Sequence, residues 1–415
     1  MRGAARWAVP AFAAVVAGAC SGDQAEGPTA EALDSAGVRI VTYELKDVQI
    51  PTYRVAAEHD LEIGVRDGAP EYSFSRIPGL AVTRDGSFVV SDALAQELRV
   101  YDATGTYVRT IGQRGEGPGE FASAPAIVGL AGDTVFVFDR RSRRVTSFLV
   151  SGDLIEMTTL RSDDIGRPVF VIRLDDGTYL SQSPWINPSG ESGPQDMRLD
   201  LDSIAIEHLD PTGMLIDTVR VMADRGMARA VQVRASGVFA TQQAPAPYSA
   251  RAFVRSDGRR TILGRSDAFE LALLGQAGDA PTLLRVRGVA HPATADQIRA
   301  HQEAAIREEL GDGELNPTTR MLNLGFLPDR LPSFASIVIA DSGDIWVALT
   351  EYDGSEGYDW LVFSPAGELL GTVHTPPDTR LLAIHDDFVV GVVLDEFDVP
   401  YVRRHALLAS PEGGT

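Results

Sequence analysis

The feature that most constrains this chain is a glycine turn that returns at a fixed interval. Such turns occur at Asp85-Gly86, Gly132-Asp133 and Asp176-Gly177, and their glycines lie 46 and 45 residues apart. Turns of this kind join antiparallel strands because glycine reaches the positive φ that the tight connection demands. Ser87-Phe88-Val89-Val90 follows the first turn; Leu98-Arg99-Val100-Tyr101, a second turn at Thr104-Gly105, and Tyr107 to Ile111 come after it. The next interval repeats that order with Val135-Phe136-Val137-Phe138, Val145 to Val150, Ser151-Gly152 and Leu154 to Leu160. Later first turns stand at Asp257-Gly258 and Ser342-Gly343, with second turns at Thr212-Gly213, Ala277-Gly278 and Ala366-Gly367. This is the period of a four-stranded propeller blade.

The two ends of the chain complete each other. The last unit supplies strands near Leu381 to Ile384, Phe388 to Val393 and Val402 to Leu408, then the sequence runs out before a fourth. At the other end, LEIGVRDGAPEYSF at 61–74 echoes RTIGQRGEGPGEF at 109–121, a fourth strand with its exit loop. An N-terminal strand therefore completes the last blade, and closure removes the unpaired edges that invite aggregation. The expected fold is all-β: a six-bladed β-propeller of four-stranded antiparallel blades over 37–408, closed by an N-terminal strand, with a helical insertion near 294–310. At Gly115, Gly117, Gly119 and Phe121 the chain resembles the six-bladed, NHL-like β-propellers of bacterial lipoproteins. The glycine-rich loop leads into a strand with no helix behind it. It therefore reads as an interblade turn with Phe121 packed between blades, and a phosphate cradle is disfavoured.

Hydrophobic residues make up 44% of the 415 and charged ones 23%, which excludes a mostly disordered chain. Acidic residues outnumber basic ones 58 to 37, a formal charge of −21, and this argues against a nucleic-acid partner. Lys46 is the single lysine, so nearly all positive charge is arginine. At the N-terminus Arg2 and Arg6 precede a short apolar run from Trp7 to Val16, then Ala17-Gly18-Ala19-Cys20. The run is a signal-peptide core, too short to span a bilayer. Placed before the only cysteine, 1–19 resembles the signal of bacterial lipoproteins, which implies lipid attachment at Cys20 and a membrane anchor in the cell envelope. Ala17 departs from the usual leucine there. Ser21 follows the cysteine where an aspartate would favour inner-membrane retention, so the expectation leans to the outer membrane, facing periplasm or medium. Residues 20–36 read as the lipidated cysteine and a flexible tether, and 409–415 as a tail.

In an antiparallel blade with strands a to d running outward, the b–c and d–a connections share one face. The long insertions at 185–200, 223–246 and 289–331 fall in b–c, d–a and d–a positions. All three elaborate that face, which is where a rigid scaffold usually carries binding. The third contains a helix signal: Thr294-Ala295-Asp296-Gln297 is a capping box, and Gly311 ends the helix. Its apolar stripe of Ile298, Ala305 and Ile306 suits either a lid over the mouth or cover for a blade edge.

Candidate ligand-binding residues on that face are of two kinds. Arg140, Arg141, Arg143 and Arg144 can accept a carboxylate or phosphate, or simply solvate a hairpin. Trp185, Tyr248, Tyr352 and Tyr358 can stack on a sugar or peptide, or pack between blades. No histidine pair has metal-ligand spacing, and no nucleophile elbow, HExxH or CxxC motif occurs. No catalytic residue, metal site or cofactor is assigned. Six-bladed lactonases hold a divalent metal with Glu, Asn and Asp, but Asn187, Asn316 and Asn323 all fall in insertions. The favoured reading is a non-catalytic binding scaffold for a protein, peptide or glycan. The alternative is a metal-dependent hydrolase or lyase at the channel mouth, with an oxygen-ligand Ca²⁺ site left open.

Overall fold

The computed structural model describes residues 30–45, 52–161, 167–185, 198–233, 239–275, 279–289, 294–310, 324–350, 358–376 and 379–409. Three strands precede the first blade: β1 (Ala30–Ser35), β2 (Val38–Glu44) and β3 (Thr52–Ile63). Blade 1 comprises β4 (Leu80–Val82), β5 (Phe88–Asp92), β6 (Glu97–Tyr101) and β7 (Tyr107–Ile111). Blade 2 comprises β8 (Ala126–Ala131), β9 (Thr134–Asp139), β10 (Arg144–Leu149) and β11 (Leu154–Thr159). Blade 3 has β12 (Phe170–Arg173), β13 (Tyr179–Trp185), β14 (Arg198–Leu209) and β15 (Leu215–Val233), with β16 (Phe239–Pro245) paired to the far half of β15. Blade 4 has β17 (Ala252–Ser256), β18 (Thr261–Arg265), β19 (Glu270–Leu274) and β20 (Thr282–Arg287), and helix α1 (Ala295–Leu310) follows. Blade 5 has β21 (Phe334–Ile339), β22 (Ile345–Leu349), β23 (Tyr358–Phe363) and β24 (Leu369–Thr375). Blade 6 has β25 (Arg380–Ile384), β26 (Phe388–Leu394) and β27 (Pro400–Ala409), and β3 is its fourth strand. First strands touch from blade 1 to blade 2, 2 to 3, 4 to 5, 5 to 6 and, through β25 against β4, 6 to 1; blade 3 meets blade 4 through Ile172 and Ile206 against Val254 and Leu263, so the blades form a ring.

Why these runs make blades follows from burial on both faces. Middle strands are apolar almost continuously, because each side meets a neighbouring blade. In β5, Phe88 and Val90 face the blade 6 seam while Val89 faces blade 2. In β22, Ile345 and Val347 face blade 4 while Trp346 and Ala348 face blade 6. The core is thereby divided into six seam clusters, one between each pair of adjacent blades.

The expected closure is present. Antiparallel pairing joins β3 to β27 from Val402 opposite Ile63 to Ala409 opposite Tyr53. The first residues of β3 also pair, in parallel, with Thr372 to His374 of β24, so one strand stitches blades 5 and 6 into an eight-stranded sheet. Arg403 and Arg404 reinforce the seam through Glu62 at 2.7 Å and Asp60 at 2.9 Å. The segment expected to be tether is partly folded: Ala30–Ser35 forms a hairpin with β2, which adds in parallel to the outer edge of blade 4. Its chemistry explains the docking, since Val41 and Tyr43 of β2 are buried in the blade 4–5 seam. The Tyr43 hydroxyl also donates to the Gly367 carbonyl and accepts the Leu369 N–H.

The glycine-rich loop is an interblade turn. Gly112 has φ +73°, and a Cβ there would stand 2.3 Å from the Phe121 ring, so glycine is required for Phe121 to enter the seam. Phe121 is fully buried against Phe148, and the Glu120 carboxylate accepts the Gly117 N–H at 2.8 Å. The sequence-level helix is also present, with a reciprocal cap: the Thr294 N–H donates to Gln297 Oε1 and the Gln297 N–H to Thr294 Oγ1.

His405 sits where β3 bulges against β27, with Nδ1 donating to the Ala56 carbonyl at 2.8 Å and Nε2 buried without a partner. Burial is the largest influence on the ring; together with the nearby His59 and Arg403 it outweighs the Ala56 bond and lowers the pKa from 6.5. The folded ring is therefore held neutral while the unfolded chain takes a proton near pH 6.5. Its contribution is fully present above that pH and is lost as pH falls towards the lower folded value. Urea unfolding at pH 7 and pH 5 should show lower stability at pH 5, with part of the difference removed in His405→Gln. An unchanged difference would rule out this residue as its source.

Candidate functional site

The second expected insertion lines a pocket at the b–c and d–a face with Arg225, Pro245 and Ala246, and the third ends beside it, just before Pro332. The second is a β-hairpin rather than an irregular loop: β15 continues past the blade to Val233 and returns as β16. Within the third, Phe326 packs on Ala228 of that hairpin, so the two insertions touch. Helix α1 buries Ile298 against Leu331 and Leu327, with Tyr248 beside them. The Tyr248 hydroxyl lies 2.7 Å from His301 Nδ1 on the same helix. This packing sets α1 behind Tyr248, which lines the pocket.

The pocket opens over the blade 4–5 seam and has a volume of about 330 Å³. Arg225 comes from β15, Tyr248, Ser249 and Arg251 from the approach to β17, Phe253 from β17, and Phe334 from β21. Phe253 and Phe334 floor it with ring centroids 5.1 Å apart, an aromatic pair that also belongs to the seam core. Ser266 and Thr350 line it from the ends of β18 and β22. The Ser266 Oγ accepts the Arg251 N–H at 3.0 Å, whereas Thr350 Oγ1 is buried without a hydrogen-bond partner.

Positive charge is concentrated here. Strand alternation puts Arg251, Phe253 and Arg255 on one side, and both guanidinium carbons stand over the Phe253 ring, at 5.3 and 5.7 Å. Arg255 is tied down by carbonyls, donating to Ile337 at 3.0 Å and Val254 at 2.9 Å. Burial first, then repulsion from Arg251, pushes its pKa below the ordinary arginine value. Arg225 pairs with Asp224 at 3.7 Å, and Asp224 is itself engaged by the Ala252 N–H. Tyr248 holds φ +54°, a left-handed conformation that non-glycine residues seldom adopt.

Of the sequence candidates among the described residues, Tyr248 alone lines this pocket. Tyr358 opens β23 and packs into the blade 5–6 seam, because that face of the strand is interblade core. Trp185 ends β13, with its side chain outside the described residues; Tyr352 and Cys20 lie outside them, as do Asn187, Asn316 and Asn323. The arginine cluster sits on the same face two blades away. Arg144 is committed to structure, donating to the Gly117 and Glu120 carbonyls at 3.2 and 3.0 Å. The turn carrying Arg140, Arg141 and Arg143 is fixed by the buried Asp139 carboxylate, which accepts the Arg141 N–H at 2.9 Å and the Ala122 N–H at 2.7 Å. Burial opposes the charge on Asp139, but these bonds and those from Ser123 and Ser142 hold its pKa below the usual carboxylate value. The sequence reading missed Arg225, Arg251, Phe253, Phe334 and Thr350; the arginine–aromatic–arginine alternation at 251, 253 and 255 could have pointed to Arg251 and Phe253, and no local signal marks the other three.

Residues 71–191 match the model of the DUF5128 family, described as a 6-bladed beta-propeller. The chain is a six-bladed β-propeller. The sequence has no match among curated proteins. Among solved structures, the propeller is similar to a Bacteroides fragilis protein inferred to be exported, at 12% identity and a TM-score of 0.46, covering 88% of this chain and 100% of that one. A DUF4221 family member from Bacteroides vulgatus has 9% identity and a TM-score of 0.46, with coverages of 86% and 99%. Virginiamycin B lyase from Staphylococcus aureus has 10% identity and a TM-score of 0.38, with coverages of 84% and 98%. Among the described residues no three His, Cys, Asp or Glu side chains gather to hold a metal ion, and no helix is long and apolar enough to cross a membrane.

The Tyr248–His301 contact is the link between α1 and the pocket wall. Tyr248→Phe should loosen it by about 1 kcal/mol, the usual worth of one hydrogen bond. Hydrogen exchange should then quicken in α1 while the seam strands stay protected; unchanged exchange in α1 would show that Ile298 packing alone holds it.

Proposed function

We propose that this propeller is a lipid-anchored binding module of the bacterial cell envelope that engages its ligand through the b–c and d–a face. The observation that supports the reading is the pocket over the blade 4–5 seam, lined in part by the 223–246 insertion, which the third insertion touches through Phe326. Pockets of about 300 Å³ and above, apolar with a few polar groups, are the usual form of a small-ligand site. Rigid seams hold its floor, while its walls come from the connections, where surface chemistry can vary without disturbing the ring. The anchor part of the proposal rests on the leader and Cys20, with the outer membrane favoured by Ser21. Several acyl chains on one residue would hold the chain at a membrane, where one alone would exchange.

Fractionation tests the anchor: the wild-type chain should sediment with membranes, and Cys20→Ser should move it to the soluble fraction. Retention on the membrane without the cysteine would overturn it. Photo-crosslinking tests the face. A photoreactive residue at position 248 or 141 should capture envelope components, and one at position 84 or 104, on the opposite face, should not. Capture confined to the opposite face would overturn the assignment.

A further inference from the structure

Three features meet in the pocket over the blade 4–5 seam. Its walls carry Arg225 and Arg251, and the Arg251 guanidinium leans on Phe253 with no carboxylate within ion-pair distance among the described residues. Its floor is the Phe253–Phe334 pair, buried in the seam core, and the partly exposed Pro245, Tyr248 and Pro332 give its walls an apolar surface. Its far wall holds Thr350, whose buried hydroxyl has no partner, an arrangement that native proteins rarely leave unmet. Elsewhere on this acidic chain arginines meet carboxylates readily, as Arg285 does Glu270 at 2.7 Å and Arg403 does Glu62 at 2.7 Å. In the pocket Arg225 has Asp224 at 3.7 Å, and Arg251 is the arginine that meets no carboxylate among the described residues.

Resting on the reading above that this face binds a ligand, we propose that the pocket takes a small organic oxyanion, a carboxylate or phosphate group on a flat apolar body. Guanidinium groups present a planar fork that matches both oxyanions, so Arg251 and Arg225 receive the charged end. Tyr248, Pro245 and Pro332 receive the apolar body above the Phe253–Phe334 floor, and Thr350 supplies a further hydrogen bond. The volume of about 330 Å³ limits the occupant to the small end of ligand sizes. The surrounding negative field disfavours anions at a distance, so discrimination has to arise from contacts inside the pocket rather than from long-range steering.

Ligand-observed NMR on the chain from Ser21 to Thr415 tests this with phenylacetate, phenyl phosphate, the neutral phenylacetamide and methyl glucoside. Phenylacetate or phenyl phosphate should bind at least about tenfold more tightly than phenylacetamide. Arg251→Gln should remove that preference with an unchanged melting temperature, and Arg84→Gln, on the opposite face, should leave it intact. The better of the two anions decides between carboxylate and phosphate. Equal affinity for phenylacetamide, or an unchanged preference in Arg251→Gln, would overturn the oxyanion assignment. Binding of methyl glucoside alone, lost in Tyr248→Ala, would also overturn it while retaining the face as a binding surface. No occupancy by any probe, with crosslinks from position 248 still forming, would overturn the pocket as a small-ligand site; loss of both would overturn the face as well.

Discussion

The pairing of β3 with β27 is the interaction on which the rest depends. A ring of blades has no terminal edge only if one blade is built from both ends of the chain, and here β3 supplies that link. It carries more than backbone pairing. Leu61 and Ile63 enter the seam with blade 1, Val55 enters the seam with blade 5, and two arginines of β27 meet acids of β3. Opening this strand would expose two seams at once, so its stability is shared by the whole ring. Non-local pairing of this kind is slow to form, since the closing strands lie some 340 residues apart, as in the Arg403–Glu62 contact.

Seam packing also determines where function can be placed. Strands buried on both faces leave little room for polar chemistry along their lengths, and their charged residues gather at the strand ends. Asp92 and Asp139 show the structural use of those ends. Each accepts backbone N–H groups of its own b–c turn and ties that turn to the preceding d–a connection, through Ser75 in one blade and Ala122 in the next. Blades 4 and 5 differ, because insertions widen the connections and the strand ends surround a cavity.

Much of the ring was legible because glycine turns are local and periodic. Gly86, Gly132 and Gly177 each take positive φ, and Phe121 enters the seam that the echo of its loop implied. The capping box gave the helix start for the same reason, since Thr294 and Gln297 satisfy each other without help from the fold. Ala30–Ser35 was not legible: its side chains are exposed, and only the burial of Val41 and Tyr43 far along the chain gives that hairpin a place to dock. The pocket was legible only through Tyr248. Its other members come from three blades, and an arginine beside an aromatic residue acquires meaning only when the seam brings Phe334 against Phe253. The arginine run at 140–144 was conspicuous in sequence, yet Arg144 spends its donors on carbonyls.

The placement of charge gives the last step. A chain of net charge −21 has ample acids to neutralise its arginines, and neutralisation is cheap at the surface. Arg255 nevertheless satisfies its donors with backbone carbonyls, and Arg251 rests on a ring face beside it, so two like charges flank one phenylalanine. Burial and mutual repulsion both penalise that arrangement, as the lowered pKa of Arg255 records. A carboxylate side chain in the pocket would relieve it, but would also fill the space and cancel the field. Leaving these cations without a carboxylate costs stability, a cost that the proposed oxyanion would offset. In that respect the blade 4–5 seam is built unlike the β3–β27 closure, where each exposed arginine already has its acid.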